Sequence, residues 1–275
     1  VADVQTRGSP MIRATASRRA AVIAWGLAGL IVLPYAVLAF GAFAQQWRYP
    51  ALLPAGWSMR AWTALAGGGA LLDAAGRSAV IALAVSLLSV TAALITSQAL
   101  AIAHHRERLQ ALALLPFFVS PVVIGMSLQQ LLLRSGLDHG ALGVLLAQSF
   151  IAYAYAVLLM DALWSPTLLA MGDAAAGLGA SKLAIWREVW LPAGAGVIAM
   201  ALFQTFSLSW FDYALARVIG GGRVVTLPIR VFEALSAGDL RVASAGSLLL
   251  VLPPAVAFLL ARRLVAASPL LKVWQ

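Results

Sequence analysis

Six apolar blocks, separated by polar or Gly- and Pro-containing connections, run along the chain from Ala20 to Phe43, Ser78 to Ala103, Leu109 to Leu133, Ala141 to Met160, Ala193 to Phe211 and Ala243 to Ala261. Each approaches the roughly 20 residues that a helix rising ~1.5 Å per residue needs to cross about 30 Å of hydrocarbon. The blocks are continuous and rich in Ala and Leu, without the period-two alternation of a membrane strand, so the pattern predicts helices. The predicted fold is all-α: a polytopic membrane protein with six transmembrane helices over residues 20–261, between tails at 1–19 and 262–275. Arg18-Arg19 before the first block and Ala42-Phe43-Ala44 at its end imitate a cleaved signal. The block is longer than a signal's apolar core of about 7 to 15 residues, so a retained first helix is expected.

Composition agrees with this pattern. Of 275 residues, 62% are hydrophobic and 11% charged, and the mean hydropathy is +0.92. A soluble domain carries roughly 25% charged residues, so a soluble enzyme is excluded. The net charge of +9 does not form a nucleic-acid stripe, because the cations sit at the ends of apolar blocks. Arg7, Arg13, Arg18 and Arg19, then Arg106 and Arg108, then Lys182 and Arg187, and finally Arg262, Arg263 and Lys272 all fall on one predicted side. The positive-inside rule makes that side cytoplasmic and puts both tails there. The opposite side also holds arginines, Arg77, Arg134 and Arg223 among them, so the bias is modest. No cysteine is present, which excludes disulfides and thiolate chemistry.

Two connections exceed simple turns. Residues 45–77 hold Pro50, Pro54, Trp47, Trp57 and Trp62, with a short helix expected from Ser58 as N-cap; these aromatics read as membrane-interface anchors. Gly67-Gly68-Gly69 and Gly220-Gly221-Gly222 read as flexible outer loops, His104-His105 as a solvated turn, and Asp161 as interfacial. Pro116, Pro121, Pro253 and Pro254 are expected to kink their helices.

The second long connection runs from Ser165 to Pro192. Ser165-Pro166 has the form of a helix start, and Gly172 interrupts the pattern. Asp173 is expected to cap a new short helix ending at Gly179, a residue free to take positive φ. Lys182 to Trp190 forms an amphipathic helix with Leu183, Trp186 and Trp190 on its apolar stripe, and Pro192 is expected to break the chain before the fifth span. Such a knob either enters a groove on another protein or lies on lipid, and amphipathicity alone does not separate these.

The run Asp173-Ala174-Ala175, three residues, Gly179, nine residues, Val189, one residue, Leu191-Pro192 resembles the EAA signature of bacterial ABC importer permeases. That signature reads Glu-Ala-Ala, three residues, Gly, nine residues, Ile, one residue, Leu-Pro; Asp173 and Val189 are conservative departures from it. The resemblance extends from about Ser78 to Ala261, through Ser207-Leu208-Ser209-Trp210-Phe211-Asp212 and Thr226-Leu227-Pro228, and is nearest the polyamine, thiamine, iron and aminoethylphosphonate branch. It implies a type I importer permease of the inner membrane. Asp173, Ala174, Ala175 and Gly179 would form a coupling helix docked on a cytoplasmic ATPase, with Leu191 and Pro192 fixing its return to the membrane. It further implies a second permease, preferably a different chain, two ATPase subunits and an extracytoplasmic binding protein. The chain has no Gly-x-x-x-x-Gly-Lys-Ser/Thr phosphate loop, so ATP and magnesium belong to the partner, and neither a cofactor nor catalysis is expected here.

Polar side chains within spans are candidates for a translocation path, because they are costly in lipid. Thr205, Ser209 and Asp212 share one face of the fifth span, Gln204 lies on an adjacent face, and the fourth span offers Gln148 and Tyr153. Interhelical hydrogen bonding is the alternative role for each. Asp212 suits a cationic solute, whereas the outer arginines suit an anionic one. An integral membrane enzyme would need paired carboxylates or a His-rich edge, and a secondary transporter would need inverted repeats; neither is evident.

Overall fold

A computed structural model describes residues 10–45, 47, 51, 54–60, 62–63, 69–136 and 140–267. The tail residues 1–9 and 268–275, the Arg48-Tyr49-Pro50 segment and Gly67-Gly68 lie outside the described residues. The architecture is all-α, and the one β feature among the described residues is an isolated bridge between Ala44 and Trp57. The helices that the described residues delimit are, in order, α1 (Pro10–Phe43), α2 (Ala70–Ala101), α3 (Arg106–Ala113), α4 (Pro121–Arg134), α5 (Ala141–Asp161), α6 (Pro166–Gly177), α7 (Lys182–Trp210), α8 (Ala214–Gly220), α9 (Leu227–Ser236) and α10 (Leu240–Ala267).

Five of these, α1, α2, α5, α7 and α10, are long and apolar enough to cross a membrane, which makes the chain a multi-pass membrane protein. The third apolar block departs from expectation. It is not one helix but α3, a 3-10 turn at Leu115–Phe118 and the 14-residue α4. Pro116 sits inside the 3-10 turn and Pro121 is the first residue of α4, so two missing amide donors five positions apart divide the block instead of bending it. By contrast, Pro253 and Pro254 are both accommodated inside the continuous α10.

Helices α2 and α5 run side by side and parallel. Leu72 to Arg77 share a cavity wall with Gly140 and Ala141, Ser89 Oγ donates to the Ser149 carbonyl at 3.3 Å, and Ser97 meets Trp164 further along. Parallel neighbours require the chain to return between them, and the broken third segment makes that return. Helix α4 packs on α8: Gly125 lets Leu215 approach to 2.9 Å of where a Cβ would stand, and Gln129 Nε2 donates to the Val218 carbonyl at 3.1 Å. Helix α1 is the outlier, exposed along most of residues 21–39 and packed through its last turns on α10. Trp62 stacks on Phe43 and Trp57 lies beside Phe40, which closes the end of α1.

The core has two main parts. One gathers Ile81, Val85, Val144, Ile151, Leu215 and Ile219 around α8. The other gathers Val90, Val157, Met160, Leu163, Trp164 and Leu168 at the opposite end of α2 and α5. The second is the base from which the signature segment projects.

Candidate functional site

The signature segment is an elbow of two helices, and its details differ from the sequence expectation in three places. Helix α6 is one uninterrupted helix capped by Ser165, whose Oγ accepts from Leu168 N–H at 3.3 Å. Gly172 therefore does not interrupt a helix, and Asp173 caps nothing: it is an exposed residue in the interior of α6. The glycine is there for packing, since a Cβ at 172 would stand 2.7 Å from Cζ2 of Trp190. Pro192 also breaks nothing. Helix α7 continues from Lys182 to Trp210, and its residues Ile185–Trp190, just before Leu191 and Pro192, take a π-helical register. The wider turn relieves the clash between the proline ring and the preceding turn of carbonyls.

Gly179 behaves as expected, with φ +87°. It closes a Schellman turn in which Gly179 N–H donates to the Ala176 carbonyl at 2.9 Å and Ala180 N–H to the Ala175 carbonyl at 3.0 Å. The spacing from Ala175 to Gly179 is thus the spacing of this turn. Ser181 caps the return helix by accepting from Ala184 N–H at 3.2 Å. The geometry leaves Leu178 at the tip, 91% exposed, and Leu183 beside it on the return at 76%. Leu191 and Pro192 are exposed on the side of α7.

The elbow stands on three tryptophans. Trp164, Trp186 and Trp190 meet edge to face, with centroids 5.1–5.8 Å apart and interplanar angles of 79–88°. This orientation sets ring edges against ring faces, worth about 0.5–1.5 kcal/mol per pair beyond burial. Trp164 Nε1 donates to Ser97 Oγ at 2.7 Å, tying the cluster to α2. Gly194 lets Leu163 pack within 2.7 Å of its would-be Cβ, and Arg106 pairs with Asp161 at 2.7 Å across the same end of the bundle. Trp164, Ser97 and Gly172 are absent from the sequence-derived site. Their contacts span up to 67 positions, and no local pattern announces them. Trp164→Phe is expected to cost about 1 kcal/mol through loss of the Ser97 bond. Trp190→Phe costs less, since Trp190 Nε1 has no hydrogen-bond partner; thermal denaturation of the solubilised protein compares the two.

The polar candidates divide sharply. Gln148, 1% exposed, accepts from Ser209 Oγ at 2.6 Å through its Oε1 and donates through Nε2 to Asp212 Oδ2 at 2.8 Å. Asp212 also accepts from Leu215 N–H at 3.3 Å and Ala216 N–H at 2.9 Å, so it caps α8. These three residues therefore join α5, α7 and α8 through interhelical bonds. Thr205 is fully buried, its hydroxyl bonded to the Ala201 carbonyl one turn back at 2.7 Å. Tyr153 packs half-buried against the other core, and Gln204 is exposed. Further along, Ser78 Oγ accepts from Leu227 N–H at 2.8 Å, seating Thr226-Leu227-Pro228 on α2.

Comparison with known proteins follows this geometry. No family model matches the chain. The spermidine/putrescine transport system permease protein PotC of Haemophilus influenzae is 27% identical over 168 residues, covering 59% of this chain and 65% of that protein. The chain thus matches just under two thirds of the length of this relative. A transport-system permease as a relative, together with an all-α body of span-length helices around an EAA-like elbow, makes the chain similar to the permeases of ABC transporters.

Proposed function

We propose that the chain is the transmembrane permease subunit of an ATP-driven importer of the inner membrane, forming half of a pathway for a small polar solute. The observation that carries this reading is the elbow at 165–192: an apolar tip at Leu178, held by a closed turn and a capped return, on a base too well packed to flex. A leucine exposed to 91% at a rigid apex is costly in water and suits insertion into an apolar cleft on a partner. The partner in this reading is a cytoplasmic ATPase, with Ala174, Ala175 and Gly179 shaping the docking element. A second permease and an extracytoplasmic binding protein complete the assembly. Both tails and the elbow face the cytoplasm.

Closure of two ATPase subunits would move the elbow, and the tryptophan base passes that motion to α7 directly and to α2 through Ser97. Conversion between inward-open and outward-open states follows as a population shift driven by ATP. Spermidine and putrescine appear in the name of the relative and make polyamines one solute to assay first.

The test is co-purification with a candidate partner ATPase. Leu178→Asp is expected to weaken association at least about tenfold, the equivalent of ~1.4 kcal/mol. Gly179→Val, which forces a β-branched residue to φ +87°, is expected to do the same by distorting the turn. Undiminished association and transport in both variants would overturn the reading.

A further inference from the structure

At the end of the bundle where α2 and α5 begin lies a cavity of about 580 Å³. Its charged lining residues are Asp73 and Arg77 from the first turns of α2 and Arg223 from the loop after α8. The remaining wall is Gly140 and Ala141 at the start of α5 and apolar side chains such as Ile81. Three features bear on what it can bind.

First, neither Arg77 nor Arg223 has an ion-pair partner among the described residues, so both guanidiniums keep their forks available. Second, the backbone at Arg223 is fixed while its side chain stays exposed. The triple-glycine run expected to be a flexible loop is a defined turn, with Gly221 at φ +54°, Gly222 at φ +79° and Arg223 N–H donating to the Gly220 carbonyl at 2.9 Å. Buried Gly220 packs against Val224 and Val144, which sets the turn on the start of α5. Third, α5 begins without a side-chain cap: Gly140 offers none, and the first intrahelical bond is from Val144 N–H to the Gly140 carbonyl. The amides of residues 141–143 therefore have no intrahelical acceptor and point out of the first turn. Asp73 offsets one of the two arginine charges and leaves a net single positive charge on the lining.

We propose that this cavity binds a phosphate- or phosphonate-type oxyanion. Two guanidinium forks match the paired oxygens of a tetrahedral anion, and the free amides of α5 add donors in line with its dipole. It serves either an anionic free solute or the headgroup of an anionic phospholipid at the membrane edge. The proposal does not rest on the importer reading.

The experiment uses the full chain in nanodiscs of phosphatidylcholine, titrated with inorganic phosphate by calorimetry, and in detergent with phosphatidylglycerol or phosphatidylcholine by native mass spectrometry. Saturable binding of phosphate, or preferential retention of phosphatidylglycerol, is expected in at least one arm, and the responding arm identifies the source. Arg77→Gln and Arg223→Gln are each expected to weaken it by about tenfold, as loss of one charge-assisted fork implies, whereas Arg241→Gln, outside the cavity, leaves it unchanged. Arg77→Lys and Arg223→Lys keep the charge and control for folding, with partial binding retained. No saturable response in either arm, or a response untouched by both Gln variants, overturns the proposal.

Discussion

Gln148→Leu is expected to lower the stability of the solubilised protein by about 2–4 kcal/mol, because it breaks a buried hydrogen-bonded network at its centre. Leucine is one heavy atom shorter but fills most of the same space, so the loss is chiefly of hydrogen bonds. Asp212 keeps the two amides of α8 but loses the side-chain amide at 2.8 Å, and Ser209 loses its acceptor at 2.6 Å. Gln148→Glu is expected to be at least as damaging, since it sets a second carboxylate against Asp212. Gln204→Leu, made at an exposed position of α7, the helix that carries Ser209, should be within about 0.5 kcal/mol of wild type. Thermal or denaturant unfolding in detergent measures all three. Equal stability of the Gln148 and Gln204 variants would mean that the network holds nothing together.

The second large effect is expected at Gly172. Alanine there gains up to about 1 kcal/mol of helix propensity but places a methyl 2.7 Å from a tryptophan ring. Valine adds two more carbons and the stiffness of a branched side chain. The ring has little room to yield, since Trp190 is braced by Trp164 and Trp186. Overpacking of this kind costs about 1–3 kcal/mol, and Gly172→Val is expected at the upper end. Under the proposed function the same variant has a distinct signature. The tip at Leu178 is untouched, so ATPase association persists, while solute moved per ATP falls because α6 no longer seats on α7. A Gly172→Val protein that melts like wild type would show that the tryptophan base tolerates separation from α6.

The contrast between Gly172 and Gly179 explains how far the sequence can be read. Gly179 is legible because its role is local: a turn that closes on Ala175 and Ala176 requires a left-handed residue at that spacing, and the chemistry lies within five positions. Gly172 looks like a helix breaker to the same local reasoning, yet it is a seat for a ring 18 positions away. Asp173 is misread as a cap for the same reason, since once Gly172 is packed the helix has no cause to restart. The same distinction separates Asp212 from the rest of the proposed path. Its position near the end of a span is plain from hydropathy, but its commitment to Gln148, 64 positions earlier, is not.

By itself, the sequence determined the solvent, the helical class, five of the six spans it leads one to expect, and the turn at the signature. The physical reason is that burying a backbone in hydrocarbon demands internal hydrogen bonding within each segment, so apolar length carries most of the information. Tertiary structure alone decided that Pro116 and Pro121 divide the third block, that Trp164 ties the elbow to Ser97, and that Gln148 spends its hydrogen bonds on Ser209 and Asp212. It also decided that Arg77 and Arg223, 146 positions apart, face one cavity. Each of these depends on which helix faces which, and side-chain contact between helices leaves no period in the sequence by which to find it.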